Sequence, residues 1–239
     1  MPYRSRDEHA RTPQGRGRFP DFDVLDQVDV WDDVTAGVVL ARLALPGDLA
    51  FFTPYEAGIA GPLLDLLLGQ DGEPRVPVLA LIDQRLAVGE TDGWHYDDLP
   101  EDAQAWRQTL GFLDDDARRR NHCGFGELAV ADQIALVQAV QDRAADGRTW
   151  HEWSATHVWS LWTRYACTAF YSHPWAWNEI GFGGPAYPRG YLNPGIDARE
   201  KWEVPDSFDA DPVTFAQRVE RSRHEHADLA GPTAGSDAG

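Results

Sequence analysis

Apolar positions recur at helical spacing along most of this chain and crowd without a period in one stretch. Over 53–69, Ile59, Leu63, Leu64, Leu66, Leu67 and Leu68 form a broad apolar face. Thr53-Pro54-Tyr55-Glu56 ahead of it is a capping box with Pro at the first helical position, and Gly69 ends the pattern. Pro62 lies inside and is expected to bend this helix. Residues 75–87, entered through Pro77, repeat the spacing with Leu79, Ile82 and Leu86. A longer helix is expected from Pro100 to about Asn121, with Ala103, Trp106, Leu110 and Leu113 on one side. Its Asp114, Asp115 and Asp116 precede Arg118, Arg119 and Arg120 at i,i+4, which reads as a solvated charged face. Gly124-Phe125-Gly126 breaks the chain before a helix over 130–145 with Ile134, Val137 and Val140 inward. Ser154 suits the N-cap of a helix running to about Tyr171. There Val158, Leu161, Trp162, Tyr165, Ala169 and Phe170 are apolar nearly all round, the pattern of a buried helix. Asp211-Pro212 opens a last amphipathic helix. Over 29–45, Val30, Trp31, Val34, Val38, Val39 and Leu43 fit an extended entry followed by a short helix or strand, and their spacing does not separate the two.

The aperiodic stretch is Tyr171-Ser172-His173-Pro174-Trp175-Ala176-Trp177-Asn178-Glu179-Ile180-Gly181-Phe182-Gly183-Gly184-Pro185-Ala186-Tyr187-Pro188-Arg189-Gly190-Tyr191. Pro removes a backbone donor and Gly adds backbone freedom, so regular structure is not expected there. Its Trp and Tyr side chains nevertheless carry large apolar areas that must pack on something, either the chain's own core or a partner. The fold expected is mainly α: an irregular helical bundle with a long aromatic Gly/Pro-rich loop segment after the central buried helix. It would occupy one domain over 21–229, between a polar arm expected to be disordered at 1–20 and a Gly/Ala-rich tail expected to be disordered at 230–239.

Charge narrows the functional classes. The 239 residues carry a net charge of -18, which disfavours nucleic acid and anionic membrane surfaces as partners. No apolar run reaches the roughly 18 residues that span a bilayer. The N-terminal Arg4 and Arg6 have no apolar region behind them, so no export signal is read and a cytoplasmic address is expected, export together with a partner being the alternative. Cys123 and Cys167 form no CxxC or zinc spacing; they read as free thiols, with a disulfide as the alternative.

No catalytic, cofactor-binding or metal-binding residue is singled out by pattern. His151 and His157 are six apart, so they leave a helix on different faces and lack the spacing of a zincin. Gly181-Phe182-Gly183-Gly184-Pro185 lacks the GxGxxG spacing and its strand–helix setting. Carboxylates are abundant and Trp-rich clefts bind sugars. A stand-alone carbohydrate-active enzyme using Glu152 or Glu179, or a carbohydrate-binding protein using the Trp-rich loop, therefore remains an alternative.

Two blocks carry a resemblance. One is Phe52-Thr53-Pro54-Tyr55-Glu56 through Leu68, followed by Val78, Ile82, Asp83 and Leu86. The other is Thr168-Ala169-Phe170-Tyr171-Ser172-His173-Pro174 leading into Trp177-Asn178-Glu179-Ile180-Gly181-Phe182-Gly183-Gly184-Pro185. Over roughly residues 50–192 the chain resembles the gluconate 2-dehydrogenase subunit 3 family, the small subunits of flavoprotein sugar and polyol dehydrogenases. The resemblance implies a helical, non-catalytic subunit that supports a large subunit of the glucose–methanol–choline type, with FAD in that partner and no cofactor in this chain. A multihaem cytochrome c subunit takes the electrons in many members. Haem c is attached outside the cytoplasm, so the lack of a visible export signal points away from that partner.

Obligate interfaces are anchored by Trp, Tyr and Arg. The contacts expected on the partner are therefore Tyr171, Pro174, Trp175, Trp177, Phe182, Tyr187 and Tyr191. Gly181, Gly183, Gly184 and Pro185 would turn the backbone, and Asn178 and Arg189 would hydrogen-bond. Packing on the chain's own helices is the alternative for each aromatic.

Overall fold

The computed structural model describes residues 18–19, 21–44, 47–192, 195 and 198–207. The chain divides at Val204, and the fold described is that of the unit ending there. In the following unit the described residues Pro205–Ser207 carry no helix or strand. Of the arm expected at 1–20 only residues 18 and 19 are described, and the helix expected from Asp211 and the tail at 230–239 lie outside the described residues.

Among its described residues the unit has seven α-helices: α1 (Asp33–Ala41), α2 (Pro54–Leu68), α3 (Val78–Ala87), α4 (Asp102–Asn121), α5 (Val130–Ala145), α6 (Ala155–Tyr171) and α7 (Pro174–Ile180). Short 3-10 segments at Val24–Val30 and Phe125–Glu127 join them. A two-stranded hairpin, β1 (Thr149–Trp150) and β2 (Trp153–Ser154), pairs antiparallel with Trp150 opposite Trp153. The mainly helical expectation is met.

Local chemistry fixes the helix ends. Thr53 N–H donates to Glu56 Oε2 at 2.8 Å and Glu56 N–H returns a bond to Thr53 Oγ1 at 3.3 Å, so both halves of the α2 capping box form. Gly69 closes α2 at φ 66, a left-handed value that Gly adopts without a Cβ clash. Pro62 is held within α2 and does not end it. Ser154 caps α6 by accepting from His157 N–H.

α6 is the centre of the larger core. Val158, Leu161, Trp162, Tyr165 and Ala166 are buried against α2 through α5, together with Leu63, Leu64, Trp106, Leu110 and Leu113. Two buried polar groups of this core are paired across helices, as a low-dielectric interior favours, whereas among the described residues the Trp106 indole N–H has no partner. Trp162 Nε1–H donates to Thr109 Oγ1 at 3.0 Å, and Tyr165 O–H donates to Asp102 Oδ2 at 2.7 Å. A helix apolar nearly all round would be covered everywhere, yet Thr156, Cys167, Thr168 and Tyr171 of α6 are exposed.

Two expectations need correction. Asp114 does not belong to a solvated face: it is 2% exposed and accepts from Tyr55 O–H (2.6 Å), Phe125 N–H (2.8 Å) and Arg118 Nε–H (2.7 Å). Burial pushes its carboxyl up, but those donors outweigh burial and hold it below the usual range. Asp116 is likewise turned inward to accept from Trp150 Nε1–H at 2.8 Å, leaving Asp115 and the three arginines as the exposed part. Ile134 does not point inward with Val137 and Val140; it is half exposed.

Candidate partner interface

A second, smaller core joins the N-terminal segment to the aromatic stretch. Phe22, Val24, Leu25, Trp31, Val39 and Trp177 form it. The alternatives over 29–45 resolve to helix, preceded by the 3-10 segment. Regular structure also enters the aromatic stretch, against expectation. Pro174 takes the first turn of α7, where its missing N–H costs nothing, and His173 caps that helix by accepting from Trp175 N–H. Gly181 closes it at φ 66.

The expected interface residues divide by environment. Trp177 is buried, donates Nε1–H to Tyr171 O at 2.7 Å, and lies under the Arg42 guanidinium at 5.6 Å. Asn178 Oδ1 accepts from Val24 N–H at 2.8 Å and its Nδ2 donates to Asp23. Arg189 donates to Gly183 O at 2.7 Å and Gln27 Oε1 at 2.9 Å, and stacks over Trp202 at 3.7 Å. Pro185 O accepts from Trp31 Nε1–H at 3.0 Å. Pro174 is buried and Trp175 half-buried against the larger core. A Cβ on Gly181, Gly183 or Gly184 would stand 2.6 Å from Phe19, 2.4 Å from Trp202 and 2.5 Å from Trp31 respectively. That backbone is packed by the chain's own rings.

Tyr171, Phe182, Tyr187 and Tyr191 behave differently. They are 49%, 41%, 66% and 63% exposed. Ile180 and Leu192 are exposed beside them in sequence, and Val30, Val34, Val38 and Leu40 are exposed on or next to α1. These six were missed by sequence reasoning. The available signal was that Val34, Val38, Val39 and Leu40 cover too much of a helix for one buried face. The imbalance is large. Among the described residues the larger core buries 29 hydrophobic residues and its elements leave six large ones exposed, Tyr171 at the end of α6 included; the segments of the smaller layer bury six and leave nine exposed. Scattered exposed apolar residues are ordinary, but their concentration on one thin layer marks an interaction face.

Other candidate chemistry lies elsewhere. His151 stacks on Phe112 and meets Asp116 Oδ1 at 3.1 Å; His157 stacks on Tyr96 and meets Asp98 Oδ1 at 2.6 Å. Among the described residues no group of three or more His, Cys, Asp or Glu is placed to hold a metal ion. Cys123 and Cys167 are free thiols. Glu152 stands exposed at the hairpin tip, whereas Glu179 is half-buried on α7, where burial pushes its carboxyl up to about 7. A groove of about 880 Å³ runs between α2, α5 and α6, lined by Leu66, Leu67, Ile134 and Trp159 with Asp65, Arg75, Gln138 and Gln141. No described helix is long and apolar enough to cross a membrane.

Comparison with known proteins agrees with the layout. No curated protein and no solved structure matches the chain. The family model described as Gluconate 2-dehydrogenase subunit 3 matches residues 55–184, more than half of the sequence, from the first turn of α2 to the glycine packed on Trp31. The chain belongs to the gluconate 2-dehydrogenase subunit 3 family.

Proposed function

We propose that this chain is a non-catalytic small subunit that binds and stabilises an FAD-dependent large subunit of the glucose–methanol–choline type, the complex oxidising a sugar, glycoside or polyol. The observation that carries the reading is the concentration of exposed apolar side chains on the layer built from the N-terminal segment and the aromatic stretch. Obligate interfaces resemble a core cut in half, and this layer has that character. The exposed tyrosines and Phe182 are the anchors; Trp177, Asn178, Arg189 and the glycines shape the ledge that presents them. Membership of a family named for a dehydrogenase subunit supports the assignment. Substrate and flavin chemistry belong to the partner.

The test is co-expression with the neighbouring reading frame, affinity purification on this chain, and an absorbance spectrum. A yellow complex whose flavin band bleaches on adding sugar is expected. A colourless, stable monomer that leaves the flavoprotein's yield unchanged would overturn the reading. The groove beside Trp159 favours a second reading, carbohydrate binding by this chain itself. Saturable, sugar-dependent Trp fluorescence of the isolated chain, lost in Trp159→Ala, would support it.

A further inference from the structure

The helix α1 has apolar residues around most of its circumference, yet Val39 is the one residue of it that is buried. Positions i, i+3, i+4 and i+7 share a helix face. Val34, Gly37, Val38 and Ala41 have that spacing, and all four are exposed. Val34, at 73%, is the most exposed large apolar residue among those described. Nothing lies within 4 Å of where a Cβ on Gly37 would stand. A surface helix ordinarily carries one apolar stripe and turns it to the core. In α1 the core side is already supplied by Val39, with Trp31 just ahead of it, so the exposed stripe is a second one.

Its position relates it to the aromatic ledge. Trp31, just before α1, donates to Pro185 O, and Arg42, just after it, donates to Ser172 O at 3.0 Å. The helix therefore lies antiparallel along 172–185, its C-terminal end beside exposed Tyr171 and its N-terminal end beside the turn that follows exposed Phe182. The outer stripe and the exposed aromatics are thus carried by the same two hydrogen-bonded segments. The charge around α1 is one-sided. Asp29 and Asp33 are exposed at the N-terminal end, whereas the guanidinium of Arg42 is drawn onto Ser172 and the Trp177 ring.

We infer that α1 is a docking helix, whose Val34–Gly37–Val38–Ala41 face seats in an apolar groove of the flavoprotein large subunit with Lys or Arg side chains opposite Asp29 and Asp33. This rests on the small-subunit reading above. Anchors at i, i+3, i+4 and i+7 are what a helix presents to a groove, and Gly37 lets the groove wall approach the α1 backbone. The acidic end steers association and fixes the direction of the helix.

The experiment uses the full chain, tagged, and the flavoprotein that co-purifies with it and bleaches with sugar. Two variants probe the face: Val34→Glu with Val38→Glu, and Gly37→Gln. The second adds a better helix former, so it separates lost docking from lost folding. Val88→Glu, equally exposed but after α3, is the control. Circular dichroism and thermal unfolding check each fold. Expected is a fall in retained flavin of at least about tenfold for both face variants, with no fall for the control. Asp33→Lys should lower the association rate, and the loss should shrink as salt rises. Full flavin retention by folded Gly37→Gln overturns the docking helix while leaving the small-subunit reading standing. No flavoprotein with the wild-type chain overturns that reading itself. If the face variants keep the flavin but convert a dimer of this chain to monomer by sedimentation, the occupant is a second copy and the inference fails.

Discussion

Asp83 holds three backbone donors at once. Its carboxylate accepts from Ala50 N–H at 2.7 Å, Phe51 N–H at 2.9 Å and Phe52 N–H at 2.7 Å, and it is 3% exposed. These bonds fix the chain's entry into α2. Asp83→Ala strips three donors at once, and should cost about 3 kcal/mol, read as a drop in the urea midpoint at unchanged slope. Two titrations give the stability a pH dependence of opposite signs. His173 is buried, and burial and then nearby Arg42 lower its pKa from 6.5 to about 4. It stays neutral in the fold while the unfolded chain takes up a proton, so stability is full above pH 6.5 and falls as pH drops toward about 4, by about 3 kcal/mol. Glu179 runs the other way. Its pKa is raised from 4.5 to about 7, so the unfolded chain ionises first and stability falls as pH rises from 4.5 to about 7. Over the shared window the two slopes oppose. Glu179→Gln removes one of them, and its unfolding midpoint should then rise more steeply from pH 4.5 to 6.5 than wild type and exceed it at pH 8. Parallel midpoint–pH curves for the two proteins would contradict this.

At the scale of elements, two glycines on either side of one contact should respond with opposite signs. The 3-10 turn Phe125–Glu127 lies so close on α2 that a Cβ on Gly126 would stand 2.3 Å from Gly58 O. That oxygen is backbone and cannot swing away, so Gly126→Ala should destabilise by about 2 kcal/mol or more. Gly58 has nothing within 4 Å of its own Cβ position and sits inside α2, so Gly58→Ala should stabilise by about 0.5–1 kcal/mol. Thermal unfolding of the two variants checks both signs. Helix ends of this kind were legible in the sequence wherever local chemistry sets them: Thr53 and Glu56 at α2, Gly69 after it, Ser154 before α6. What escaped was set by distant partners. α7 hides in a Gly/Pro/Trp-rich string because seven residues carry too little periodicity to register. Asp114 looks like one of a charged run, and only the arrival of Tyr55 and Phe125 from other elements makes it a buried acceptor. The ledge was legible as a concentration of aromatics, but which rings turn inward depends on Trp31, Val24 and Phe19, far away in the chain. The outer face of α1 gave a signal of apolar residues on too many sides, which a short window cannot tell from a strand.

The whole unit is two cores of unequal size sharing one chain. The larger is assembled from α2 to α6; the smaller ties residues 21–44 to 174–192 through six buried hydrophobic residues and a handful of hydrogen bonds. Local stability follows buried contact, so the smaller layer should open first. In hydrogen exchange, amides of α1 and α7 should exchange faster than those of α4 and α6 in the isolated chain and, on the proposed small-subunit role, should slow when the flavoprotein is bound. Equal protection of all four helices in the free chain would show that the small core needs no completion. The same inequality decides what becomes of a copy made in excess. Proteases and chaperones act on open, apolar states in proportion to how often these form. On the proposed small-subunit role, a chain left without its partner keeps this layer open to proteases, and assembly covers it. Its abundance in the cell would then follow the supply of partner rather than its own rate of synthesis, which makes the small layer a counter of stoichiometry.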